Sequence, residues 1–171
     1  DKNLLENNTI SGCLDGIFLD GSRFNQIASN DINNNTAGIF LFSSHGNVIS
    51  SNSIRDNRIS EESDCGIALV CSSGNIIRYN HLINNGDSSL SLRSSANNTI
   101  LANNISSNDW YGISLAESSN SNRIEKNNAS ENKDAGIYLD SSQKNMIRAN
   151  SAWNNSRGIL LSYDSNDNLL Q

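Results

Sequence analysis

The chain has 171 residues, a net charge of −6 and no proline. Its 12 Lys and Arg are dispersed rather than gathered into the basic stripe that a phosphate backbone requires, which excludes nucleic acid as the natural partner. Asn and Ser number 31 and 30 against 19 Ile, 16 Leu and 2 Val, and the large aliphatics with Phe still reach about 24%, above the level at which chains stay disordered. No apolar run approaches the ~20 residues of a membrane span, and the opening DKNLLENNTI lacks the basic start and apolar core of a signal peptide. The sequence therefore reads as one domain, residues 1–171, excised from a longer protein.

In chain order, a partial unit from Asn3 to Ile10 is followed by the tetrapeptide G-I-x-L, which recurs from Gly16, Gly38, Gly66, Gly112, Gly136 and Gly158 with a degenerate copy, S-L-S-L, from Ser89. Successive copies lie 22, 28, 23, 23, 24 and 22 residues apart. Between copies runs N-x-I-x-x-N-x-I-x-x-N, with its first Asn at positions such as Asn25, Asn47 and Asn75, its middle Asn at Asn30, Asn52 and Asn80, and its last at Asn35, Asn57 and Asn85. Each period thus holds three short apolar alternations. Alternation over two to four residues means strand, because successive side chains point to opposite faces.

Three strands and three turns fit one period, and stacking such units pairs every strand with its copy in parallel at ~4.8 Å. The pattern predicts an all-β fold, a parallel β-helix solenoid of about seven coils of 22–24 residues. Ile17, Ile39 and Ile67 would begin one interior stack, Leu19, Leu41 and Leu69 the next, and Ile27, Ile49 and Ile77 a second wall. The third wall runs from Ile10 and Ile32 to Ala129 and Ala152, so it should pinch inward at the end or be covered by Trp153. The asparagines fit inward turns: each carries an acceptor and a donor that identical copies can bond in ladders, and Asn tolerates left-handed backbone. Missing proline follows from the need for every ladder N–H. Leucine-rich repeats would need a longer apolar consensus and helical repeats a 3.6 spacing, and neither is present. Cys65 and Cys71 flank an extended segment too long for a disulfide, so Cys13, Cys65 and Cys71 are read as free thiols.

The segments GIYLDSSQKNMIRANSAWNNSRGILLSYDSNDNLL and GIFLFSSHGNVISSNSI resemble the NosD-type and CASH-type right-handed β-helix repeats, relatives of pectate-lyase-like solenoids, over essentially the whole chain. The resemblance implies right-handed coiling and an extracytoplasmic setting, at the cell surface, in the periplasm or secreted. It also implies two chemistries: copper delivery beside nitrous oxide reductase, and carbohydrate binding or cleavage. Copper favours thioether, thiolate and imidazole donors. Here Met146, His45, His81 and the three cysteines fall on different corners, so no metal site and no cofactor is expected.

Two surface features carry the functional expectations. Aligned by repeat, the position two before the glycine holds Asp64, Asp87, Trp110 and Asp134, with Asp109 and Tyr111 flanking the tryptophan and the insertion 58–63 adding Glu61 and Glu62. Carboxylates beside aromatic rings suit a sugar or cation, although turns also favour Asp for backbone reasons. Phe18, Phe40, Phe42, Ala68 and Val70 occupy outward positions of the first strand in the early coils, an apolar face of the kind that marks a contact. The leading function is a non-catalytic scaffold or binding module contacting polysaccharide or protein, including other domains or copies of the chain through the apolar face or open coil ends. A carbohydrate-active domain using the acidic corner and a self-assembling structural module are the alternatives.

Overall fold

The computed structural model describes residues 1–58 and 64–171, and among them the backbone forms strands and turns without a helix. Each G-I-x-L copy lies within a six-residue strand: Asp15–Asp20, Ala37–Phe42, Cys65–Val70, Ser88–Arg93, Tyr111–Ala116, Ala135–Asp140 and Arg157–Ser162. These seven pair in parallel into one sheet, each with its copy one coil away. Two-to-three-residue strands build the other two walls, a sheet of eight that includes Gln26–Ala28 and Ile76–Arg78 and a sheet of six that includes Asp31–Asn33 and His81–Ile83. The result is the expected solenoid of about seven coils with three strands in each. No helix among the described residues is long and apolar enough to cross a membrane. Glu61 and Glu62 lie outside the described residues.

Register carries the core. Ile39 stands opposite Ile17 and Ile67, and Leu41 opposite Leu19 and Leu69. Ile17, Leu41, Ile67, Leu115 and Leu139 are all buried, in one cluster with the Ile27–Ile147 and Ile32–Ile105 stacks. The repeated glycine is fixed by space. A Cβ at Gly38 would meet the Gly66 carbonyl at 2.5 Å and Ile54 Cγ2 at 2.8 Å, both inside contact distance. At the degenerate copy Ser89 stands in the glycine's place, and its Oγ accepts from Asn85 Nδ2 at 3.2 Å.

Three asparagine ladders line the corners. Asn52 donates both its backbone N–H and its Nδ2 to Asn80 Oδ1, at 3.0 and 2.9 Å, and Asn80 does the same to Asn103, at 3.0 Å each. A further donation from Asn80 Nδ2 to the Ile49 carbonyl at 3.0 Å ties the side chain back to the previous coil. One oxygen accepting twice and one amide donating twice uses the bonding capacity of Asn almost fully in a buried setting. A fourth ladder is made of serine. Ser22, Ser44 and Ser72 donate their N–H groups to the hydroxyl of the next serine at 3.0, 3.0 and 2.9 Å.

The third wall narrows as its side chains shorten. A Cβ at Gly16 would meet Ile32 Cγ2 at 2.8 Å, while at Gly112 it would meet Ala129 Cβ itself at 3.2 Å. The shorter side chain lies closer to the corner there, and Trp153 stays 48% exposed. The corners also force left-handed backbone on ordinary residues: Ser29, Ser51, Tyr79, Ala102, Lys126 and Ala149, each following a strand of the second wall, have φ between 52 and 57°.

Two stability measurements follow. Asn80→Ala should cost about 3 kcal/mol in denaturant unfolding, because one truncation strands two buried donors on Asn52 at about 1–3 kcal/mol each; an unchanged midpoint would mean the ladder is solvated. Ala102→Gly should stabilise by roughly 0.5–1 kcal/mol, as relief of the left-handed penalty exceeds the glycine entropy cost.

Candidate functional site

Outward positions of the six-residue strands are free of the packing that fixes the interior. Their register stacks Phe18, Phe40, Ala68 and Ser91 in one column and Asp20, Phe42, Val70 and Arg93 in another. Beside them Asp15, Ala37, Cys65 and Ser88 form a third column. The hollow arises from size: Ala37, Ala68 and Ser91 are small residues set among Phe40, Val70 and Arg93. An open groove of about 380 Å³ results, floored by Ala37, Phe40, Ala68 and Val70 and edged by Asp15, Asp87 and Arg93, with Thr36 and Ser91 supplying hydroxyls. Phe18 and Phe42 extend its apolar rim, 51% and 42% exposed, and the Phe18 and Phe40 rings lie 5.3 Å apart. The five residues read from sequence as an apolar face are thus brought together.

Groove electrostatics are acidic. Burial raises the Asp15 carboxyl above its ordinary value, and burial followed by the neighbouring Asp64 charge raises Asp87. Among the described residues neither carboxylate has a salt bridge. Arg93 is engaged by Glu117, its Nε donating at 3.1 Å. The Cys65 thiol is pushed up to about 12, chiefly by burial with Asp87 adding to it, so it is an inert part of the lining rather than a nucleophile.

The expected acidic and aromatic corner divides into separate environments. Asp64 does not project outward beside Asp87 as the repeat alignment suggested. It is buried, 4% exposed, with its Cβ against the place a side chain would occupy at Gly86, so the carboxylate turns in where glycine leaves room. Asp109 is bracketed by Arg58 at 2.9 Å and Lys133 at 2.5 Å, and Asp134 pairs with Arg157. Trp110, 54% exposed, lines a second, more open hollow with those paired charges. Tyr111 stacks on Tyr138, centroids 4.4 Å apart, and burial raises both phenols. Tyr138 was not singled out from the sequence, because it occupies a different column of the repeat from Tyr111.

The fold and groove define a right-handed parallel β-helix with a ligand-sized hollow on its longest-stranded wall. The chain belongs to the NosD family: the family profile described as periplasmic copper-binding protein (NosD) matches residues 1–60 and 53–171. No individual curated protein matches by sequence. Among solved structures, the chain is similar to a double mutant of the periplasmic alginate epimerase AlgG, with a TM-score of 0.80 and 23% identity over 90% of this chain and 37% of that one. It is similar also to the Azotobacter vinelandii mannuronan C-5 epimerase AlgE4 A-module, with a TM-score of 0.72 and 14% identity over 98% and 57%. Tailspike protein 2 from Escherichia coli O157:H7 bacteriophage CAB120 gives 0.69 and 14% over 91% and 22%. At these identities the likeness establishes the fold.

The donor set does not fit the copper of the family description. His45 Nδ1 is occupied, accepting from the Ser73 N–H at 3.0 Å, and His81 stands on the third wall. Met146 lies on the second wall, and Cys65 is buried with its thiolate disfavoured. Among the described residues no three of His, Cys, Asp and Glu are grouped to hold a metal.

Calorimetric titration with copper should therefore show no submicromolar uptake, and stoichiometric tight binding would contradict the ligand argument. Asp87→Asn gives a second check. Since the folded-state carboxyl titrates above its unfolded value, ionised Asp87 destabilises the fold above that folded pKa, and the penalty vanishes once pH falls below the unfolded value near ~3.9. The variant should be more stable than the parent chain at neutral pH, by a margin that solvent screening keeps small, and no more stable in acid.

Proposed function

We propose that this chain is a non-catalytic binding module, a rigid extracytoplasmic β-helix that holds a glycan along the groove over Ala37, Phe40, Ala68 and Val70. The observation that carries this reading is the groove itself: a concave apolar strip edged by carboxylates and hydroxyls matches the alternation of C–H faces and hydroxyl rims on a sugar chain. The similar structures include epimerases whose names specify alginate and mannuronan, which are glycans. An extracytoplasmic setting accords with the family's description as periplasmic.

A binding role is favoured over turnover by the placing of acid and base. The two carboxylates that edge the groove, Asp15 and Asp87, belong to coils three repeats apart, roughly 14 Å at ~4.8 Å per coil. That exceeds the roughly 6.5–9.5 Å across which an acid and a base flank a glycosidic bond with a water between them. Asp64 is nearer to Asp87 but buried, and Cys65 is inert.

A glycan array probed with the chain, with each bound glycan then assayed for cleavage or epimerisation, tests the reading. Binding without product is the expected result, and Phe40→Ala should weaken it several-fold, equivalent to about 1 kcal/mol of lost ring contact. Catalytic turnover on any bound glycan would replace the binding module with an enzyme.

A further inference from the structure

Resting on the glycan-binding reading, we infer that the groove takes an amine-bearing glycan, a hexosamine oligomer, rather than a polyuronate. Charge complementarity and geometry both lead there. The lining presents the carboxylates of Asp15 and Asp87 at opposite ends of the hollow, without a salt bridge among the described residues. The guanidinium on its wall, Arg93, is committed to Glu117. Asp64, buried beside Asp87, adds a further acidic group behind the surface. Asp15 and Asp87 therefore edge this hollow while its Arg93 is neutralised by Glu117, so a carboxylated sugar would meet uncompensated negative charge, whereas an ammonium would supply the missing partner.

The contrast with the neighbouring corner sharpens the point. Asp109 and Asp134 have basic partners in adjacent coils, so their charges are spent on the protein's own surface. Asp15 and Asp87 face a hollow whose burial opposes their ionisation. The lattice also sets the spacing. An oligomer lying along the solenoid axis advances by coils of ~4.8 Å, close to the length of one pyranose, so amines three sugars apart meet Asp15 at one end and Asp87, three coils on, at the other. Phe40, Ala68 and Val70 would take the C–H faces between them, and Thr36 and Ser91 the hydroxyls.

The test is calorimetric binding of the chain, in slightly acid buffer where sugar amines are protonated, to a glucosamine tetramer, its N-acetylated counterpart and a mannuronate tetramer. The glucosamine tetramer should bind about tenfold more tightly than the acetylated one, and the mannuronate should bind least. Asp87→Asn and Asp15→Asn should each remove most of the preference, read as the ratio of the free-amine to the acetylated affinity within each variant, with the melting temperature undiminished. Equal affinity for the acetylated and free-amine oligomers, tightest binding of the mannuronate, or an unchanged preference in both variants would overturn the inference with the glycan reading intact. Absence of binding to all three would remove that reading as well.

Discussion

The corners of this molecule depend chiefly on one arrangement: an inward asparagine whose single Oδ1 accepts both the backbone N–H and the side-chain amide of its copy in the previous coil, as in the Asn52, Asn80, Asn103 series. A solenoid corner interrupts the strand ladder, leaving peptide groups with no strand partner in a place water does not reach, and each such group costs about 1–3 kcal/mol if left alone. The Asn ladder satisfies them. Because its side-chain half works only between asparagines at matching heights, it favours strict register, and strict register places like on like in the core. The composition follows from the same cause. Asn is abundant because three corners of nearly every coil need it, and proline is missing because the pairing consumes the N–H groups.

Where the lattice is fixed, function is confined to what the lattice leaves free. Inward positions of the long strands hold Ile and Leu without relief, while one outward column reads Phe18, Phe40, Ala68, Ser91, Ser114, Tyr138 and Leu160. The groove is a step in that column from ring to methyl to hydroxymethyl. The floor is built from strand residues, with Thr36 and Asp87 added from the turns beside it, so the hollow inherits the rigidity of the sheet beneath it, and ligand binding would forfeit little conformational entropy in the protein. Asp87 fits the same logic from the energetic side. Desolvation and the Asp64 charge raise its carboxyl above the ordinary value, the direction of a group that opposes stability at neutral pH, and residues that do so without a structural return are what binding sites contain.

The fold was legible because its signal is repeated: six G-I-x-L copies and three Asn positions per period leave little freedom, and the observed register reproduces that alignment. The site was legible only in part. Phe18, Phe40, Phe42, Ala68 and Val70 followed from strand alternation, a rule that gives direction as well as position. The acidic corner rested on turn residues, and alternation says nothing about where a turn side chain points. Asp64 therefore went inward against Gly86, while Asp109 and Asp134 were taken up by Arg58, Lys133 and Arg157, cations from other coils whose reach depends on rotamers. The serine ladder escaped notice for a different reason: with 30 serines in the chain, a periodic one does not stand out from its background.

The same separation of lattice from surface explains how one fold can carry unlike chemistries. The family description names copper, while the similar solved structures include epimerases of alginate and mannuronan. Nothing in the inward pattern distinguishes these, since Ile stacks and Asn ladders are indifferent to what lies outside them. Chemistry must be read from outward columns, coil by coil, and here those columns offer no grouped copper donors among the described residues. They offer an aromatic and aliphatic floor with unbalanced carboxylates at its ends. Because each coil contributes one residue per column, a single outward substitution adds or removes one functional group at one ~4.8 Å step along the groove and leaves the core untouched. A β-helix can thus exchange ligands by point mutation on its wall while the corners, which hold the stability, remain the same.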